Sequence, residues 1–121
     1  MATPNLVNVT SVTPFTINGA VTTSPADIID VPADKSYKIN TIIIANIDGT
    51  NAADITVDIS TDNGANYYNI GSTISVPADA TLVLTDKNSQ IYLDETDLLR
   101  VTASANSDLH YTVSVEILDD A

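Results

Sequence analysis

Strict alternation of apolar and polar residues is the feature of this sequence that most restricts its fold. In DITVDIS, residues 54–60, Ile55, Val57 and Ile59 occupy one set of alternate positions and Asp58 the other. Side chains two positions apart in a strand share one face of the sheet, so this run predicts a strand with a buried face and a solvent-facing one. The runs LLRVTASA and HYTVSVEIL repeat the pattern, and helical periodicity is hard to find. The chain is therefore predicted to be all-β.

Turn signals separate these runs at short intervals. Asp48-Gly49 and Asn63-Gly64 each stand between strand patterns, and such pairs are strong hairpin signals because both residues tolerate positive φ. They predict a meander of three strands, followed and preceded by shorter ones. The fold class is an antiparallel β-sandwich of roughly seven to nine short strands, Ig-like or jelly-roll. The predicted strands are 5–12, 26–31, 37–46, 53–61, 66–71, 80–85, 90–93, 98–104 and 109–118.

The tetrapeptide Val-Pro-Ala-Asp occurs twice, at residues 31–34 and 76–79, each time ahead of an apolar run. Proline presets φ for the first central position of a turn, and aspartate tolerates unusual backbone angles. The sequences that follow soon diverge, so no duplication is indicated. Both tetrapeptides are predicted to be strand entries at corners of one sandwich.

A chain of 121 residues fits a single domain. Residues 1–25 carry no charged side chain, and two readings stay open for them: the first strand of the sandwich, or an arm that docks on a neighbouring subunit. Residues 26–121 form the sandwich proper. If the arm reading holds, deleting residues 1–15 abolishes partner binding and leaves the sandwich folded. The partner-binding candidates in this segment are Leu6, Val7, Val9 and Phe15.

Tyr67 and Tyr68 are adjacent in the run NYYNI and are predicted to point to opposite faces of a strand. One of them is then buried and the other exposed. Tyrosine offers a large rigid surface with a polar tip, so the exposed one is a candidate contact residue. An ordinary cross-strand pair is the alternative.

The net charge of −12 excludes two classes of partner. Nucleic acids and anionic membranes require clustered cations, and this chain has four lysines and arginines against sixteen acidic residues. Cysteine is absent, which excludes disulfides and fits assembly in a reducing cytoplasm. The N-terminus lacks the features of a signal peptide.

Catalytic constellations are missing from the sequence. The single histidine, His110, lies in a strand pattern, and the four glycines are too scattered for a phosphate loop. We therefore predict no enzymatic activity and no cofactor. Calcium is the alternative to consider, because hard oxygen ligands gather in two loops, although neither loop matches an EF-hand and aspartate also favours turns. The calcium candidates are Asp48, Asp54, Asp94 and Asp97.

The sequence contains two long stretches, INTIIIANIDGTNAADITVDIS and GSTISVPADATLVLTDKNSQIYLDETDLLRVTAS, and opens with PNLVNVTSVT. All three resemble small virion structural proteins of tailed bacteriophages, particularly marine and cyanobacterial ones. The resemblance covers most of the chain and lies in strand-and-turn patterns. It implies a β-sandwich protein of the virion, assembled in the host cytoplasm, that decorates the capsid as a cement protein. It carries no site residues.

The resemblance also implies partners. These are the major capsid protein and other virion proteins, with a homo-oligomer, best taken as a trimer, as the bound form. A tail, neck or fibre component, or an adhesin, is the alternative within the virion. A carbohydrate-binding sandwich is a third possibility, which the absence of tryptophan disfavours.

Overall fold

The computed structural model describes residues 9–119, and nine β-strands account for its regular structure within that range. No helix there is long and apolar enough to span a membrane. The strands are β1 (Ser11–Ala20), β2 (Ala26–Asp30), β3 (Lys35–Asn46), β4 (Ala53–Ser60), β5 (Tyr68–Val76), β6 (Thr81–Thr85), β7 (Ile91–Leu93), β8 (Leu98–Ala103) and β9 (Leu109–Asp119).

The strands form two sheets whose ladders are all antiparallel. Sheet A has the order β1-β9-β3-β6, with β7 also paired to β3, and sheet B has the order β2-β8-β4-β5. The pairing is nested along the chain: β1 with β9, β2 with β8, β3 with β6 and β7, and β4 with β5. A long hairpin rolled up in this way is a jelly roll. The predicted all-β sandwich is confirmed, and the strand order selects the jelly-roll alternative over the Ig-like one.

The core lies between the inner faces of the two sheets. Ile42 and Ile44 of β3 and Val113 of β9 come from sheet A, and Val57 and Leu99 come from sheet B; all are fully buried. Burying an aliphatic side chain of this size stabilises the fold by about 1.5–3 kcal/mol relative to leaving it exposed. The apolar positions of the alternating runs are therefore what holds the two sheets together.

The two predicted hairpin turns have different outcomes. Asn63 and Gly64 have φ angles of 59° and 86°, and the Ala65 N–H donates to the Asp62 carbonyl at 3.3 Å, which is a type I′ turn between β4 and β5. The hairpin prediction at Asp48-Gly49 is wrong, because β3 and β4 lie in different sheets. The meander therefore does not exist as predicted.

Both Val-Pro-Ala-Asp tetrapeptides lead into strands, β3 and β6, as predicted. Their aspartates, Asp34 and Asp79, adopt left-handed φ angles of 62° and 57°. In the second corner the Ala80 N–H donates to the Pro77 carbonyl at 3.1 Å. Pro77 is thus the first residue of its turn, and the prediction that it occupies the first central position is wrong.

The N-terminal strand differs from the prediction of 5–12. β1 begins at Ser11 and runs through Pro14 to Ala20, well beyond the predicted end at residue 12. Proline is tolerated there because β1 is an edge strand, where a missing N–H costs no ladder bond. The other predicted limits agree with the structure to within a few residues, except that β5 extends to Val76.

Candidate interaction surface

The outward side chains of sheet A form four cross-strand rows on one face. Residues opposite each other on paired strands share a face, so the printed registers define each row. We call this set of side chains the sheet A outer face. Its rows are Ala20, His110, Ala45 and Thr81; Asn18, Thr112, Ile43 and Val83; Thr16, Ser114 and Thr41; and Pro14, Glu116, Lys38 and Tyr92.

Charge is nearly absent from the sheet A outer face. Lys38 and Glu116 are its only lysine, arginine, aspartate or glutamate residues, and they face each other across β3 and β9 with opposite signs. Glu116 also accepts a hydrogen bond from the Asn40 amide at 3.1 Å. Because the whole chain carries −12, most of the acidic side chains lie elsewhere on the surface.

Apolar groups are exposed on this same side of the molecule. Val83 and Tyr92 are 56% and 55% exposed, and Val12, the next outward position of β1, is 52% exposed. They account for three of the five large hydrophobic side chains that are exposed within residues 9–119, the others being Ile47 and Tyr68. A shallow open depression also lies between β1 and β9, bounded by Asn18, Gly19, Ala20, His110, Tyr111 and Thr112.

The outer face of sheet B has the opposite character. Asp27, Arg100, Asp58 and Asn69 form one row across β2, β8, β4 and β5. Arg100 donates to Asp58 Oδ2 from Nε at 3.1 Å and from Nη2 at 2.7 Å. The Tyr67 ring lies over the guanidinium, 3.7 Å from ring centroid to Cζ. This network occupies the middle of the face with charged groups bound to one another.

Tyr67 connects the loop after β4 to this network. Its hydroxyl donates to Asp27 Oδ1 at 2.8 Å, and burial together with this hydrogen bond raises the pKa of Tyr67. Tyr68 begins β5 and is 73% exposed. Of the two neighbouring tyrosines, the structure places the first against sheet B and leaves the second available at an edge strand.

Each of the four sheet edges carries an interruption. β1 contains Pro14, and the β2 ladder shifts register between Asp27 and Ile29. β5 is irregular, with Thr73 at a φ of 45°, and the fourth edge is divided into the separate strands β6 and β7. Such interruptions oppose pairing with a further strand. Contacts between molecules are therefore expected through a face rather than an edge.

The remaining partner-binding candidates lie at the start of the chain. Leu6 and Val7 lie outside the described residues. Val9 is half-buried just ahead of β1. Phe15 packs its ring edge-on against Tyr37, with centroids 5.8 Å apart, so it faces the interior of the sandwich and not a partner.

The calcium candidates do not form a ligand set within residues 9–119. No group of three or more acidic or histidine side chains there is placed to hold a metal ion. Asp48 Oδ1 instead accepts the N–H groups of Thr50 and Asn51, which lowers the pKa of Asp48. Asp97 Oδ2 accepts the Asp94 N–H at 2.8 Å. The carboxylates of Asp48 and Asp97 therefore serve as turn acceptors.

Val83, Tyr92 and Thr112 were not singled out from the sequence, although a signal for them exists. In HYTVSVEIL the polar positions of the alternation are histidine, threonine, serine and glutamate, so only one of them is acidic, whereas a solvent-facing strand of so acidic a chain would be expected to carry several aspartates or lysines. Uncharged polar positions in an acidic chain thus mark the sheet A outer face.

Comparisons with known proteins identify a fold and no family. No family model matches the chain, and no curated protein matches it. Among solved structures, the Bacillus endospore appendage subunit, described as forming disulfide-linked pili, is similar with a TM-score of 0.52 at 12% identity, over 90% of this chain and 88% of that one. At this identity the likeness shows a shared fold only.

Two further structures are similar at lower scores. The core of Drosophila NLP, described as a pentamer, has a TM-score of 0.47 at 11% identity, over 84% of this chain and 96% of that one. A pentameric capsid protein from metagenomic phage sequences has a TM-score of 0.45 at 14% identity, over 87% of this chain and 62% of that one. Neither score carries a functional conclusion.

Proposed function

We propose that this chain is a non-enzymatic structural protein of a bacteriophage virion, a cement protein that binds the capsid and stabilises it. The observation that carries the proposal is the sheet A outer face, a nearly uncharged surface on an otherwise acidic jelly roll. Such a surface suits burial against another protein, because only Lys38 and Glu116, which lie opposite each other, have to lose their water. The sequence resemblance to virion structural proteins points to the same role.

The mode of action follows from mass action. A protein that binds only the assembled shell shifts the equilibrium towards it, and many copies on one particle add their contributions. The partners are the major capsid protein and further copies of the chain. Disulfide linkage of the kind described for the endospore pili is excluded, because the chain contains no cysteine.

Gold-labelled antibody on purified virions tests the location. The expected result is dense label over the head, with hundreds of copies per particle. Label confined to the tail would replace the cement role with a tail, neck or fibre component, and a virion without label would overturn the assignment.

Shell stability tests the action itself. Purified protein added to particles that lack it should raise the temperature at which the shell releases its genome. Thr112→Asp, which places a charge on the sheet A outer face, should weaken this effect. Thr102→Asp, at the matching position of sheet B, should leave it unchanged.

A further inference from the structure

We infer that the sheet A outer face is a self-association surface, on which a second copy of this chain packs face to face. The inference concerns the free chain and does not depend on the virion assignment. In a cement role the same face would contact the shell, so self-association and shell binding would compete for it. The inference rests on three features of the described residues: the distribution of charge, the state of the sheet edges, and the position of the exposed apolar side chains.

Charge selects a second copy as the occupant. Two copies each carry −12, so they repel unless the surfaces that meet contain almost no acid. A basic partner would instead be attracted to the acidic surfaces of the molecule. On the sheet A outer face only Glu116 is acidic, and it lies opposite Lys38. This surface is therefore suited to contact between identical acidic molecules.

The sheet edges favour a face as the contact. Pro14 interrupts the donors of β1, and the opposite edge of sheet A is divided between β6 and β7. Pairing of strands between molecules is disfavoured at such edges. A sheet face can instead pack against its own copy, as the two sheets of a sandwich do.

The geometry favours a two-fold pair. A surface that packs on the same surface of another copy forms an isologous contact, which closes as a dimer. Exposed Val83 and Tyr92 lie on the side of β6 and β7, and Val12 lies at the opposite edge. A two-fold axis that lies in the interface plane and runs parallel to the strands would bring these two sides over each other. A two-fold pair differs from the trimer that the resemblance implies, and the sedimentation of the associated form distinguishes the two.

The size of the surface sets the strength to be expected. Four strands about 4.8 Å apart and about seven residues long give a face of roughly 400 Å². Stable complexes bury about 800 Å² on each partner. The pair should therefore form only at high protein concentration.

Sedimentation velocity over a concentration series up to about 1 mM tests the inference. The wild-type chain should pass from monomer to dimer, and both Thr112→Asp and Thr112→Lys should weaken the dimer by about tenfold or more. Either charge is harmful in a contact between identical copies, because each copy brings the same sign. Thr102→Asp is the matched control, since Thr102 lies at a half-buried outward position of the central strand β8.

Several outcomes would overturn the inference. A wild-type chain that stays monomeric at about 1 mM would exclude self-association. If, in addition, Thr112→Asp lost its binding to shells, the face would be assigned to contact with the shell protein. Equal effects of Thr112→Asp and Thr102→Asp would exclude this face. A dimer strengthened by Thr112→Lys would indicate contact with an acidic surface instead.

Cross-linking gives a second measurement that does not depend on weakening the dimer. Because the chain has no cysteine, a single introduced thiol reacts at one place only. With a flexible bis-maleimide, Ser114→Cys should give covalent dimers, and Thr102→Cys should give none. Circular dichroism melting curves of all variants establish that they are folded. Dimers from Thr102→Cys alone would contradict the inference.

Discussion

Arg100 and Asp58 form an ion pair on the outer face of sheet B, with Nη2 2.7 Å from Oδ2. The Asp58 side chain is only 5% exposed and that of Arg100 is 27% exposed. The Tyr67 ring covers the guanidinium. The carboxylate that the alternating pattern predicts to be solvent-facing is thus buried, and its charge is compensated locally.

Replacing Arg100 by methionine should destabilise the protein by about 3 kcal/mol, because it leaves the buried Asp58 charge without its partner. Urea denaturation at pH 7 measures the loss. Arg100→Lys keeps the charge but loses the two-point hydrogen bond and the stacking. Its stability should therefore lie between that of the wild type and that of Arg100→Met. The double variant Arg100→Met with Asp58→Asn should recover part of the stability; a double variant less stable than the single one would contradict this account of the pair.

Replacing Asp79 by alanine should cost about 1 kcal/mol, because Asp79 has a φ of 57° and alanine is disfavoured in the left-handed region. Asp79→Gly should equal the wild type or exceed it, since glycine adopts this conformation freely. Ala78→Gly is the matched control in the same turn: Ala78 is not in the left-handed region, so glycine there should destabilise. If Asp79→Ala and Asp79→Gly were equally stable, the left-handed backbone conformation would not be the reason that alanine is disfavoured at this position.

Local features of the fold could be predicted from the sequence, and long-range ones could not. The type I′ turn at Asn63-Gly64 is encoded by the two residues that form it. The hairpin predicted at Asp48-Gly49 does not form, because the same kind of dipeptide there connects strands of two different sheets. Which strands pair is decided by contacts between residues far apart in the chain. The burial of Asp58 likewise depends on Arg100, a residue 42 positions away.

The sheet A outer face illustrates the same limit. Its polar positions can be read from each strand, but Thr112, Ile43 and Val83 become neighbours only through the ladders of β9 with β3 and of β3 with β6. Phe15 was assigned to a partner contact because the inward direction of β1 depends on its register with β9. Candidates chosen residue by residue therefore missed a surface that the topology assembles.

Replacing Asp97 by asparagine should stabilise the protein at neutral pH. Burial raises the pKa of Asp97 above 3.8, and the nearby Asp94 charge raises it further. The hydrogen bond from the Asp94 backbone N–H lowers this pKa, but burial is the larger effect. The folded state therefore holds the proton more tightly than the unfolded state, and stability is lost as pH rises through the folded pKa. Urea denaturation of both proteins at pH 3 and pH 7 should show an advantage for Asp97→Asn that is present at pH 7 and absent at pH 3.

Replacing Asp62 by asparagine should have the opposite sign. Hydrogen bonds from the Asn66 N–H, the Asn66 amide and the Ser60 hydroxyl lower the pKa of Asp62. Its contribution to stability is present above pH 3.8 and lost as pH falls through the folded pKa. Asp62→Asn should thus be less stable than the wild type at pH 7 and approach it in acid. A loss that stayed constant with pH would assign the effect to packing rather than charge.

Truncation separates the two readings of the N-terminal segment. β1 begins at Ser11, and Thr10 donates to the Asp119 carbonyl at 2.9 Å. Deleting residues 1–15 should therefore destabilise the sandwich, because it removes half of β1 and the contact of Phe15 with Tyr37. Phe15→Ala alone should cost about 2 kcal/mol, less than a fully buried phenylalanine because Phe15 is half-buried.

Deleting residues 2–8 instead removes Leu6 and Val7 and leaves every described contact of β1 in place. The expected result is a melting temperature close to that of the full chain, against a decrease of several degrees for the deletion through Phe15. With the sandwich folded, binding of the shorter deletion to shells measures the arm directly: lost binding would support a docking arm, and retained binding would leave the sheet faces as the contact. If the shorter deletion also melted early, residues 2–8 would belong to the folded domain, and the distinction between arm and sandwich would no longer hold.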